Sequence, residues 1–166
     1  MLPKWHIFYG ALFTLFLWII APTIKIIDLA LIFLASFLID IDHYLCAVFD
    51  TKKMSLKNAL NYYEEIKIRT TEERRKGIRK KGNFHLFHTI EFHVLIAMLG
   101  IFWLPFLYVF IGMVFHSLLD LFYMSKRDYL YHREFFFVNW LMNIYANKKS
   151  QKAYKSLSQQ NKSRSP

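Results

Sequence analysis

Cysteine is all but missing from this 166-residue chain: the single thiol, Cys46, excludes an internal disulfide framework and a cysteine-only zinc cluster. Glycine and proline are few, five and four residues, and no internal repeat divides the chain into modules. Acidic residues are outnumbered, 12 against 22 Lys and Arg, leaving a formal charge of +10. The length suits one domain and excludes a large multidomain enzyme. What abounds is apolar: 55% of residues are hydrophobic and 19% aromatic. That content beside so many cations is unusual for a soluble globule. It points to segregation along the chain, as in a membrane protein.

Four apolar stretches, 5–21, 24–41, 89–104 and 105–123, are each near the minimum an α-helix needs to cross about 30 Å of hydrocarbon. Runs such as Ile7-Phe8-Tyr9-Gly10-Ala11-Leu12-Phe13 are apolar on every side, which argues against hairpins buried in a soluble core. Lys4 before the first stretch resembles a signal-peptide start. Pro22 directly after Ala21, and the lack of an A-x-A site, predict instead a retained segment. Prolines near Pro22-Thr23 and Leu104-Pro105 mark tight turns between antiparallel helices. The expected fold class is all-α: an integral membrane four-helix bundle.

Charge sets the expected orientation. The long connection 42–84 carries 11 Lys and Arg, the segment after Tyr123 carries nine, and Lys4 adds one. So 21 of 22 fall on one side, and only Lys25 on the other. The positive-inside rule then predicts an integral membrane protein with the long loop and both termini cytoplasmic. Membrane lipids are the expected partners. Nucleic acid is disfavoured, because orientation already accounts for the basic excess, and no oligomeric state is legible.

The chain is expected to form a single membrane domain, 1–146, with amphipathic helices at its cytoplasmic surface. Leu56, Ala59, Leu60 and Tyr63 fall at helical spacing within 55–63. Thr70-Thr71-Glu72-Glu73 offers a capping-box start to a second helix ending at Gly77 or Gly82. An interfacial helix is expected at about 134–146, with Trp140 and Tyr145 suited to the headgroup region. The Lys-, Ser- and Gln-rich tail, 147–166, is expected to be disordered.

Ionisable residues inside spanning helices are costly and suggest function. His6 opens the first span, Asp40, Asp42 and His43 close the second, and His85 and His88 lead into the third, followed by Glu91 and His93. His116 and Asp120 lie near the end of the fourth. With the topology above, all of them gather at one membrane face. His116 and Asp120, four apart, share a helix face and can offer an imidazole and a carboxylate to one ion. For Asp40 and Asp42 to serve one site, the helix must stop near Ile39 and the chain extend. Gly10 and Gly112 lie one turn from His6 and His116, where small residues permit close helix contact.

This mixed nitrogen and oxygen set, His6, Asp40, Asp42, His43, His85, His88, His116 and Asp120, suits one or two divalent ions. Zinc is preferred, with manganese and iron as alternatives. Two ions would activate water and polarise a phosphoryl oxygen. Glu91 and Asp42 are the candidate catalytic groups, Glu91 being equally a ligand or a partner steadying a ligand histidine. His93 is expected to be structural, Cys46 inert packing, and Asp128 and His132 solvated surface.

The order of a His opening the first span, D-I-D-H after the second, H-T before the third and G-x-x-x-H-x-x-x-D in the fourth resembles the YdjM-type family. These are LexA-regulated inner-membrane proteins described as metal-dependent hydrolases, distantly similar to the zinc-dependent phospholipase C and P1 nuclease superfamily. The resemblance spans roughly residues 6–120 and implies metal ligation by His6, Asp40, Asp42, His43, His88, His116 and Asp120. Two places differ. Ile39 stands where the family has proline, and Asn83-Phe84-His85-Leu86-Phe87-His88-Thr89 replaces its H-R-G-x-T-H-S.

The expected function is hydrolysis of a phosphoester, in a phospholipid or lipid-linked phosphate, at a dinuclear site on the cytoplasmic face. The alternative is a non-catalytic metal-binding or ion-conducting membrane protein or scaffold. A phosphatidic acid phosphatase-type enzyme shares H-x-x-x-D, but it needs an Arg where this chain has Phe110, and P-S-G-H is absent.

Overall fold

Proline, glycine and a pair of acids punctuate the chain into helices, and the helices meet through small residues. The computed structural model describes residues 3–164, with side chains through 151. Among these residues there is no strand. Seven α-helices follow in order: α1 (Pro3–Ile20), α2 (Ile26–Leu38), α3 (Ile41–Thr51), α4 (Leu56–Arg75), α5 (Ile90–Phe102), α6 (Leu104–Ser125) and α7 (Phe137–Arg164). Short 3-10 turns stand at Leu86–His88 and Leu130–His132.

Helix α6 is the centre. It packs α2 on one side and α5 on the other, while α1 lies against α2 and the edge of α6. The α2–α6 contact is close because Gly112 has no side chain: a Cβ there would collide with the carbonyl oxygen of Ile32 and crowd Ala35. Gly10 does the same for α1, where a Cβ would strike the hydroxyl of Ser36. These glycines seat His6 and His116 one turn away, with their rings stacked at 3.9 Å.

The apolar core is small, built on Ile39, Ile96 and Met113. Most large apolar side chains face outward instead: Ile19, Ile101 and Phe102 are 68%, 81% and 85% exposed. Helix α1 buries only His6 and Gly10. By length and composition, α1 and α6 are long and apolar enough to cross a membrane. Helices α2 and α5, 13 residues each, reach about 20 Å, short of the roughly 30 Å hydrocarbon layer. The expected spans 24–41 and 89–104 are thus trimmed, the first by a turn at Ile39–Asp40, the second by one residue at its Thr89 cap and by two at its end, where the extended Trp103 follows Phe102.

Several local expectations change. Helix α2 does stop before Ile39, but the chain does not extend: Asp40 adopts a helical φ and ψ of −67° and −1°, and α3 begins at once. Its residues 42–51 fall in the expected connection. The two short helices expected between 55 and 82 are one helix, α4. Thr70 and Thr71 do not start a helix; their hydroxyls donate to the carbonyls of Ile66 and Lys67 at 2.7 Å, inside it. Gly77, with φ of +73°, follows its end, as only glycine does easily. Helix α7 runs through 147–164, where disorder was expected; no glycine or proline interrupts 137–164. The end of that tail, 165–166, lies outside the described residues.

Candidate metal centre

Helices α1, α3 and α6, and the segment leading into α5, each deliver ionisable side chains to one end of the bundle. Asp40 sits at the N-cap of α3, Asp42 and His43 in its first turn, and His88 ends the 3-10 turn before α5. Thr89 fixes that junction, its Oγ1 accepting from the Phe92 amide at 3.3 Å. His116 and Asp120 share one face of α6. All eight metal-ligand candidates fall into four overlapping groups, each with its donor atoms within 4.8 Å of one another: His6–Asp40–His116, Asp40–His43–His88, Asp42–His43–His85 and His88–His116–Asp120. Buried His and Asp groups therefore lie close enough to hold a metal ion.

The deep part of the cluster is tightly determined. The Nδ1 of His116 lies 2.9 Å from the Ser36 carbonyl oxygen. The Nδ1 of His88 lies 3.0 Å from Asp42 Oδ2, which also accepts from the Phe87 amide at 3.0 Å. A carbonyl and a carboxylate can only accept, so in the neutral rings both Nδ1 atoms carry the hydrogen and both Nε2 atoms carry a lone pair. Yet those two Nε2 atoms face each other at 3.2 Å, and each is 3.4 Å from Asp40 Oδ1. Three electron-rich atoms this close repel unless a cation or proton lies among them. Two ligands bound tetrahedrally at zinc–nitrogen distances of 2.0–2.1 Å stand about 3.3–3.4 Å apart, so the spacing fits. The Asp42–His88 pair also has the carboxylate–histidine form that orients metal-binding imidazoles.

His6 and Asp120 complete this deep group. His6 is fully buried, its Nε2 3.2 Å from Asp120 Oδ1, and its Nδ1 has no hydrogen-bond partner among the described residues. Asp120 Oδ2 is 3.7 Å from His116 Nε2 and accepts from Arg133 at 2.7 Å.

The rim of the cluster is looser. The rings of His43 and His85 lie 3.7 Å apart and lean on each other. Their nearest carboxylate oxygens are distant: Asp40 Oδ1 is 3.5 Å from His43 Nε2, and Asp42 Oδ1 is 3.8 Å from His85 Nδ1. Asp42 Oδ1 and His85 Nδ1 are both buried without a hydrogen-bond partner among the described residues. Loss of water around the ring pushes His43 down to about 4, with Asp40 opposing and His88 adding to the effect. Burial, and then the adjacent His43, pushes His85 down to about 3. Both rings are therefore neutral at pH 7, the state a metal ligand needs. Burial works against ionisation of Asp42, but the hydrogen bond from His88 and the neighbouring imidazoles outweigh it and hold its carboxyl below the ordinary value.

The structure does not bring Glu91 into the cluster. Its carboxylate accepts the Phe137 and Val138 amides at 3.0 and 3.2 Å, capping the first turn of α7. His93 is engaged with the Thr89 carbonyl and the Ser117 hydroxyl. Asn83 donates to Cys46 Sγ at 3.3 Å, and Asp128 pairs with Arg79 on the surface.

Arg133 is the residue sequence reasoning missed. It reaches Asp120 because the segment before α7 folds back along the segment before α5. Gly82 donates to the His132 carbonyl at 2.8 Å and Ile90 to the Phe135 carbonyl at 2.9 Å, while Lys81 Nζ holds the Arg133 carbonyl at 2.9 Å. No local pattern marks such a pairing, and Arg133 sits among residues that read as basic surface.

Comparison with protein-family models, curated proteins and solved structures gave no match.

Proposed function

We propose that this chain is a membrane-embedded, metal-dependent hydrolase of a phosphoester, with its site at the cytoplasmic edge of the bilayer. The observation that carries the reading is the pair of tethered imidazoles, His88 and His116, whose bare Nε2 atoms converge with a carboxylate oxygen at 3.2–3.4 Å. Asp40, His88, His116 and Asp120, with His6, would hold one divalent ion, zinc by preference. Asp42, His43 and His85 would hold a second. Bound there, the metal supplies an activated water at neutral pH and polarisation of the phosphoryl oxygen.

The protein's own groups do the rest. Asp42 and the Ser36 carbonyl keep two imidazoles in the metal-binding tautomer. Arg133 braces Asp120 and leaves further N–H donors for a phosphate oxygen, a geometry suited to guanidinium. The resemblance to the YdjM-type family, independent of these distances, supports the same chemistry.

In this reading all four helices of the bundle lie in the bilayer and the basic side is cytoplasmic. From the cluster to the far end of the bundle, α1 runs about 21 Å from His6 to Ile20, and α6 about 24 Å from Asp120 to Leu104. The apolar layer is thus thinner than a typical bilayer. The site then lies at the level of the inner headgroups, or the lipid thins around it. Helix α1 is retained, since it carries His6.

The test is elemental analysis of the purified full-length protein, with turnover of lipid phosphates and nucleotides measured before and after chelation. One or two zinc per chain, and hydrolysis that chelator abolishes and zinc restores, is the expected result. Bound metal without turnover of any phosphoester would defeat the enzymatic reading and leave the non-catalytic one.

A further inference from the structure

Helices α5 and α6 separate on their outer side into a groove of about 440 Å³. Val94, Ala97, Met98 and Ile101 form one wall, and Phe110 and Val114 the other. From Ile90 to Ile101 it follows about 16 Å of α5, at 1.5 Å per residue. About one turn in from Ile90, His93 and Ser117 bond each other at 3.0 Å, so these two polar groups of the wall are already paired. One end differs. There the lining residues are His88, a member of the metal cluster, and Arg133.

An apolar trough closed by a cation at the cluster has the form of a single amphiphile: a hydrocarbon tail joined to an anionic head. We infer that this groove seats one acyl chain of a lipid phosphate, and that Arg133 binds the phosphate and brings it to the cluster. The inference rests on the hydrolase reading for its substrate class, and it names where that substrate lies. Inside a bilayer the tail gains little by leaving other tails, since lipid is as apolar as the groove. Selection must therefore come from the head. Arg133 has five N–H donors, and Asp120 engages one of its nitrogens in the ion pair. The tail's role is register: lying along α5 and α6, it fixes how deep the phosphate can sit.

The experiment is photolabelling of the full-length protein in phosphatidylcholine nanodiscs. The probe is a phosphatidic acid carrying a diazirine at the end of one acyl chain, and the comparison is the diacylglycerol with the same chain. The expected result is label on peptides covering 94–101 and 110–121, about tenfold stronger for the phosphatidic acid, as charge-assisted hydrogen bonds to one phosphate would give. Arg133→Ala should erase that preference. Ala97→Trp and, independently, Val114→Trp should lower groove labelling roughly tenfold by filling the trough. Retained bound metal in either variant shows that the bundle still folds.

Equal labelling by the two lipids, or labelling that both tryptophans leave intact, would overturn the inference and make the groove ordinary lipid contact. Labelling needs no turnover, so its outcome separates from that of the enzyme assay. Head-dependent label without hydrolysis keeps the groove and removes the hydrolase, whereas hydrolysis with head-independent label does the reverse.

Discussion

His88 and His116 are tethered rings, whereas His43 and His85 are held mainly by each other. In the first pair, an acceptor behind each ring fixes which nitrogen carries the hydrogen, and both rings are fully buried. In the second, the closest carboxylate oxygens are 3.5 and 3.8 Å away, and the side chains keep 31% and 16% of their exposure. The tethered pair was positioned before any ligand arrives, so binding there orders little that is not already ordered. The rim pair must still settle, which costs affinity but permits movement as a substrate enters. If two ions bind, they should bind unequally, the deep one tightly and the rim one weakly.

The largest effect should come from removing a tethered ring. His116→Ala takes away a ligand common to two of the groups, and zinc affinity measured by competition with a chromogenic chelator should fall more than about 100-fold, beyond the usual penalty for losing a supporting group. Near-normal affinity would mean that the deep group is not where metal binds.

A smaller loss is expected when only the tether is cut. Asp42→Ala leaves His88 in place but frees its Nδ1, and deep-site affinity should fall about 10- to 100-fold in the same titration. An unchanged affinity would erase the distinction between tethered and loose rings.

The smallest effect on tight binding should follow His85→Ala. Stoichiometry by elemental analysis should drop toward one ion per chain, while the tight constant moves less than the roughly 10-fold minimum expected on cutting the tether, since His85 belongs to none of the groups that contain His116. Loss of both ions together would make the cluster a single site rather than two.

Much of this was legible before any coordinates. Short proline-marked joints force antiparallel neighbours, so His6, the Asp40–His43 run, His88 and the His116–Asp120 pair had to reach the same end. Gly10 and Gly112, one turn away, signalled the close contacts that bring the rings together. What escaped was of two kinds. Helix boundaries in 41–75 were misjudged because Thr70 and Thr71 satisfy a capping pattern and a helix interior equally well, and tertiary context decides. Arg133 and the true role of Glu91 depend on two irregular segments pairing across some 50 positions of sequence, which no local periodicity records. The ends of α2 and α5 were also hidden, because apolar composition runs on past them.

The donors are divided evenly by the long connection. The α1–α2 hairpin and the start of α3 carry His6, Asp40, Asp42 and His43; the α5–α6 hairpin and its approach carry His85, His88, His116 and Asp120. Neither half owns a tethered pair with its carboxylate, because His116 is anchored to a carbonyl of the first half and His88 to an acid of the first half. During biosynthesis the first hairpin must therefore wait for the second before any of the three donor groups built on Asp40 or Asp42 is complete. A chain cut within the connection and expressed as two fragments would become a complementation system, its reassembly answering to the metal supplied.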